Sequence, residues 1–132
     1  MTETMTIRQM CDAFDVTPRT LRFYEAKELL APIRQGQKRL FTRRDRARLK
    51  LILRGKRFGF SLEEIRQLLD LYSVDSNQET QMREAIVVGR RHLEEMIEQR
   101  AALDEAIAEL TEQIASGEAQ LAELQSARSA AE

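Results

Sequence analysis

A chain of 132 residues with one cysteine, one histidine and 33% charged residues has room for one compact domain plus something extended, and it excludes a disulfide framework within the chain or a metal-built fold from one chain. No apolar run is long enough to span a bilayer and no secretory signal with a charged start and apolar centre is present, so the expected location is the cytoplasm. The net charge of −1 hides a division: residues 1–72 hold 16 Lys/Arg and 9 Asp/Glu, a surplus of +7, and residues 73–132 hold 5 and 13, or −8. A basic half joined to an acidic half points to nucleic acid for the first and self-association for the second.

Residues 1–5 are expected to fray. From Thr6 onward, Ile7, Met10, Cys11 and Phe14 make a helical stripe. Cys11 lies inside that stripe and reads as a small buried hydrophobe rather than a redox group or ligand. Asp15 marks a tight turn, because Asp tolerates the left-handed region better than most residues, and Val16 is placed to pack between two helices. The stretch Val16–Glu28, VTPRTLRFYEAKE, then opens a second helix. The Thr17 hydroxyl can accept an orphan backbone N–H, and Pro18 takes the first helical position, where its missing N–H costs nothing. Leu21 and its apolar neighbours face inward; Arg19, Arg22 and the polar edge of Tyr24 are left to face out. Such a helix suits the major groove of DNA, although alone it would equally serve as an ordinary amphipathic surface helix. Helix, short turn, capped helix is the helix-turn-helix pattern.

Ala31-Pro32 is expected to end the second helix. Residues 33–41, IRQGQKRLF, have strand-like ends at Ile33 and Leu40-Phe41 and a hairpin tip at Gln35-Gly36-Gln37. With Arg34, Lys38 and Arg39 on it, this two-stranded wing would lie along phosphates or a minor groove; a solvated hairpin with incidental charges is the plainer alternative. Thr42 caps the next helix, with Asp45 near the reciprocal capping position. Leu49, Ile52 and Leu53 form its inner face, and it is crowded with Arg43, Arg44, Arg46, Arg48, Lys50, Arg54, Lys56 and Arg57. The basic residues near its ends are the better candidates for DNA; those in the middle are expected to be solvated or paired with acids. Gly59 is placed to stop it. Ser61-Leu62-Glu63-Glu64 is a capping box for a helix that turns Leu62, Ile65, Leu68, Leu69 and Tyr72 inward, and residues 73–78, SVDSNQ, read as a linker.

From Glu79 a single heptad pattern runs almost to the end. One seam position falls on Ile86, Leu93, Arg100, Ile107, Ile114 and Leu121, the other on Gly89, Met96, Leu103, Leu110, Gly117 and Leu124. Nine of these twelve are apolar, which predicts a coiled coil rather than a surface helix. A helix from 79 to 126 would extend about 72 Å and cannot bury this stripe alone; a second copy of the chain is the simplest partner. The helix is expected to continue through Gly117, and strand direction stays open on this pattern.

The order TIRQM, VTPRTLRFYEAKELLAP, the RLFT wing end, LKLILRGKRFGFSLEEIRQLL and then a long helix resembles the MerR family of bacterial transcription regulators, closely over residues 6–72 and in kind over the coiled coil. The resemblance implies an all-α chain with a small two-stranded wing: a winged helix-turn-helix head at 1–72, a linker at 73–78, and a dimerisation helix with a frayed tail at 79–132. It implies an antiparallel coiled-coil homodimer on double-stranded DNA, bound to a pseudo-palindromic operator and acting by distorting it, with RNA polymerase a further partner at the promoter. Carried onto these residues, Thr17, Arg19, Thr20, Arg22 and Tyr24 would contact DNA from the recognition helix, Lys38 and Arg39 from the wing, and Arg57 as a backbone contact from the second helical pair; Tyr24 would touch phosphate through its hydroxyl or, alternatively, pack under the wing. Ile86, Leu93, Met96, Leu103, Ile107, Leu110, Ile114 and Leu121 would make the dimer. Within the family, the run RQGQKRLFTRRDRARLKLILRGKRFGFSLEE followed by LLDLY is most similar to short regulators of leucine and isovalerate catabolism.

The sequence departs from the family where Asp15 and Glu28 stand in place of common glycines, and Glu28 leads one to expect a differently built turn before Leu29. Metal- and redox-sensing members carry cysteines near the coiled-coil end, and none stands there in this sequence; drug-sensing members add an effector domain for which there is no room. No cofactor, metal or membrane is therefore expected. Two other classes compete with a regulator. A coiled-coil adaptor whose basic head binds an acidic protein fits the charge division. An enzyme fits poorly, because no nucleophile, base and orienting group recur at workable spacing.

Overall fold

The computed structural model describes residues 3–71 and 78–131; Tyr72 and residues 73–77 of the expected linker lie outside the described residues. The chain divides into two units, residues 1–92 and 93–132. The first holds β1 (Met5–Thr6), α1 (Ile7–Phe14), α2 (Pro18–Ala26), β2 (Ile33–Gln35), β3 (Lys38–Phe41), α3 (Arg43–Arg57), α4 (Leu62–Asp70) and the start of α5 (Gln78–Ala131). The second holds the rest of α5.

Each of the first four helices begins at a hydroxyl. Thr6, Thr17, Thr42 and Ser61 are extended residues whose side chains accept the backbone N–H three residues on, and at Thr6–Gln9, Thr42–Asp45 and Ser61–Glu64 the third residue returns the bond to form a capping box. Each cap is worth about 1 kcal/mol. Asp45, 3% exposed, does more than cap: Oδ2 accepts from the Thr42 N–H at 3.0 Å while Oδ1 accepts from the Ala31 N–H at 3.0 Å. The start of α3 is thereby tied to the loop that follows α2.

Helix α2 ends at Ala26, well before Pro32, and proline does not stop it. The Glu28 N–H bonds to the Glu25 carbonyl and the Leu29 N–H to the Tyr24 carbonyl, both at 2.9 Å, with Glu28 at φ 61°. This is the reverse turn that usually takes glycine, so the turn before Leu29 is not built differently: Glu28 adopts the glycine conformation at a steric cost. Asp15, at φ 54°, turns α1 into α2 in the left-handed region as its residue type suggested. Gly59 closes α3 with the same bond pattern, from its own N–H to Lys56 and from the Phe60 N–H to Gly55.

The core draws Met10 from α1, Leu21 and Tyr24 from α2, Leu29 and Leu30 from the loop, Phe41 from β3, Leu49 and Ile52 from α3, and Ile65 and Leu69 from α4. Cys11 and Val16 pack against it, partly buried. Gly55 lets α4 approach α3: a methyl group there would sit 2.8 Å from the Ile65 side chain, inside contact distance in a packed core. The sheet has three antiparallel strands in the order β1-β3-β2, with Met5 opposite Phe41 and Arg34 opposite Arg39. Two expectations are corrected here. Met5 is paired rather than frayed, and the sheet has three strands rather than two, because a two-residue strand is too short to show a period.

The Glu64 carboxylate links α4 to the start of α5. Glu64 accepts from the Ser61 N–H and lies 2.9 Å from His92 Nε2, with Arg91 on its other oxygen. The His92 ring stacks on Phe60, centroids 4.7 Å apart. Helix α5 continues through Gly89, Arg100 and Gly117.

Candidate nucleic-acid interface

The residues expected on the free side of α2 divide. Arg19 and Arg22 are exposed, as is Thr17, while Thr20 is half-buried, its hydroxyl 2.9 Å from that of Thr17. Tyr24 is 1% exposed and belongs to the core. The expectation that its polar edge faces out is corrected: Tyr24 stands three residues after Leu21 and shares its inward face. Phe23 is the aromatic that sequence reasoning missed. It is exposed, with Lys27 Nζ 5.7 Å from its ring centre. The signal was available, since Arg19, Phe23 and Lys27 recur every four residues along one ridge.

The wing also divides. Lys38 is exposed. Arg39 is largely shielded, and its Nε donates to Glu25 Oε1 at 2.6 Å, while Arg34 Nη1 donates to Oε2 at 3.0 Å. Burial pushes the Glu25 carboxyl up, but the hydrogen bonds and charges of Arg39 and Arg34 outweigh this and hold it below the ordinary carboxylate range. Arg39, expected as a wing contact, is therefore engaged within the head. Glu25 was invisible to sequence reasoning, because its partners lie nine and fourteen residues away, outside any helical spacing.

On α3, Arg57 is exposed beside the Gly59 turn, as are Arg43, Arg44, Lys50, Arg54 and Lys56. Two central arginines are occupied, and by backbone carbonyls rather than acids: Arg48 Nε donates to Leu29 O at 2.7 Å and Arg46 Nη1 to Glu3 O at 3.2 Å. Together with Arg66, which donates to Lys27 O at 2.6 Å, Arg48 satisfies carbonyls left free where α2 ends. The Cys11 thiol is pushed up by burial and by Asp12, with Arg22 opposing, which disfavours the reactive thiolate. Among the described residues no group of His, Cys, Asp and Glu could hold a metal ion, and no helix is long and apolar enough to cross a membrane.

The expected dimer residues are displayed, not buried. Ile86 in the first unit, and Leu93, Met96, Leu103, Ile107, Leu110, Ile114 and Leu121 in the second, are all exposed, Leu103 and Leu110 each at 61%.

Two family profiles match this chain. That of the MerR HTH family regulatory proteins covers residues 5–71, and one described as MerR, DNA binding, covers residues 46–113. The chain belongs to the MerR family. The HTH-type transcriptional regulator ZntR of Escherichia coli K12 is 40% identical over 67 residues, which are 49% of this chain and 48% of ZntR; the match thus spans about half of that relative's length. A MerR-family transcriptional regulator from Bacillus cereus, known from a crystal structure, is 29% identical with a TM-score of 0.63, covering 83% of this chain and 81% of that one. HiNmlR, a MerR-family regulator lacking the sensor domain and crystallised on promoter DNA, has a TM-score of 0.62 over 87% of this chain and 89% of its own. At 23% identity, that likeness concerns the fold.

Proposed function

We propose that this MerR-family chain is a sequence-specific transcriptional regulator that binds double-stranded promoter DNA as a homodimer. The observation that carries the reading is the free face of α2: a short helix capped by Thr17, with Arg19 and Arg22 exposed on it and unoccupied by any ion pair among the described residues. In this reading Arg19 and Arg22 reach base edges or phosphates in a major groove, Lys38 meets a phosphate from the wing, and Arg57 meets the backbone from the end of α3. Thr17 and Thr20 order the start of the helix. The exposed heptad stripe of α5 joins two copies, so that each head takes one half of a pseudo-palindromic operator. That HiNmlR was crystallised on promoter DNA favours a promoter as the site, where RNA polymerase is the further partner. The likeness of residues 34–64 and 68–72 to regulators of leucine and isovalerate catabolism favours genes of acyl-CoA breakdown as targets.

Selection from a random duplex library with the purified chain tests this. A single enriched inverted repeat is the expected result. No enrichment would contradict it and favour the adaptor with an acidic protein partner. Transcripts of acyl-CoA breakdown genes that do not respond to loss of the regulator would overturn the pathway alone.

A further inference from the structure

Glu25 is an acid set into a basic surface. A carboxylate on α2, close to Arg22 and Lys27, repels phosphate, so by charge alone it weakens binding to any DNA. Its contacts point to what offsets that cost. Oε1 takes Arg39 and Oε2 takes Arg34, and these two arginines stand directly opposite each other on β3 and β2. One side chain of the helix thus grips both strands of the hairpin at a single rung. Among the described residues no other side-chain hydrogen bond joins α2 to β2 or β3. The Glu25–Arg39 pair is the firmer half, with both side chains 22% exposed, against 49% for Arg34. Shielding of this kind keeps an ion pair from being screened away by salt.

We propose that Glu25 is a positioning residue for DNA recognition, holding the β2–β3 hairpin against α2 so that Lys38 and the wing tip meet a phosphate strand in register with the bases facing Arg19 and Arg22. Arg39 then acts through Glu25 and makes no phosphate contact of its own. This rests on the DNA-binding reading above and adds to it the residue that sets the spacing between helix and wing. The sign of the effect is opposite to that of bare electrostatics. Removing the charge should loosen specific binding, because phosphate contacts fix register, while general attraction to DNA stays or grows.

The test uses the full chain, the duplex it selects, and an unrelated duplex of equal length, over a salt series. Glu25→Gln is expected to weaken the selected duplex about tenfold or more, to leave the unrelated duplex as tight or tighter, and to keep the salt slope. Arg39→Gln is likewise expected to weaken the selected duplex about tenfold or more and to keep the salt slope, and the double variant to be no weaker than the weaker single one, since the two act as one unit. A direct phosphate contact from Arg39 would instead lower the salt slope by about 0.9. Amide exchange of the free protein supplies a readout without DNA: in Glu25→Gln the β2–β3 amides exchange faster while those of α3 and α4 do not change. Undiminished operator affinity in Glu25→Gln, a salt slope lowered by Arg39→Gln, or unchanged hairpin exchange would each overturn the proposal. If the wild-type chain selects no sequence, the DNA-binding reading fails first, and that outcome is distinct from all three.

Discussion

The head and the helical stretch from Leu93 onward treat their apolar residues in opposite ways. In the head, ten side chains from α1 to α4, β3 and the loop after α2 are withdrawn almost wholly from water. From Leu93 to Ala131 every residue is exposed, although leucine, isoleucine and methionine recur there in heptads. The first set is a finished core. The second is a stripe left in water. Burying a leucine or isoleucine is worth about 1.5–3 kcal/mol, so a stripe of seven such residues left in water is a large unspent driving force for association. Charge follows the same division, with cations gathered on the head and acids along the helix. One region has its own core and a basic surface; the other displays an apolar stripe among acids, which under the proposed function is completed by a second chain.

The largest expected effect tests the unfinished half. Ile107→Glu puts a charge in the seam; the protein should sediment as a single chain, and its affinity for the selected operator should fall about 100-fold or more, because the second head no longer binds as part of one molecule. A variant that stays dimeric would remove Ile107 from the interface. Next comes the finished half's binding face. Arg22→Ala should weaken the operator at least tenfold, on the scale of about 1–3 kcal/mol for a good base contact, with unfolding temperature unchanged; equal gel-shift affinity would contradict the assignment.

Two smaller effects concern how the head is held together. The Ser61 N–H bond pulls the Glu64 carboxyl down, burial opposes it, and His92 and Arg91 add to the lowering, so the net position is below the ordinary carboxylate range. A carboxyl lowered by folding stabilises the native state at pH above its unfolded value, and that stabilisation is lost as pH falls through the folded value. Thermal unfolding of wild type should therefore lose more between neutral pH and about pH 3 than that of Glu64→Gln. Parallel acid limbs would show that the junction contributes nothing. The smallest effect is a gain: Glu28→Gly should raise stability by about 0.5–1 kcal/mol, because glycine takes the left-handed conformation without strain. Denaturant unfolding measures it, and a loss would mean that the Glu28 side chain is needed.

Much of this was legible because it is local. The Thr17, Thr42 and Ser61 caps and the Gly59 stop depend on spacings of a few residues, and each stands where its spacing placed it; the long helix that the heptads called for runs from Gln78 to Ala131. What was missed is of two kinds. Some features are too short for a period, such as β1, or run against residue preference, such as Glu28 in a turn that usually takes glycine. Others depend on partners distant in sequence: Glu25 with Arg34 and Arg39, Arg48 with the Leu29 carbonyl, Gly55 with Ile65. Tyr24 was a choice between two faces of a helix. The spacing from Leu21 carried the answer, but the hydroxyl made the outer face equally reasonable.

The most direct test counts chains on DNA. Sedimentation equilibrium or native mass spectrometry of the purified protein with the duplex it selects should give two chains on one duplex, whose half-sites are a whole number of helical turns apart. One chain bound to each full-length duplex, at an affinity that Ile107→Glu leaves unchanged, would contradict it.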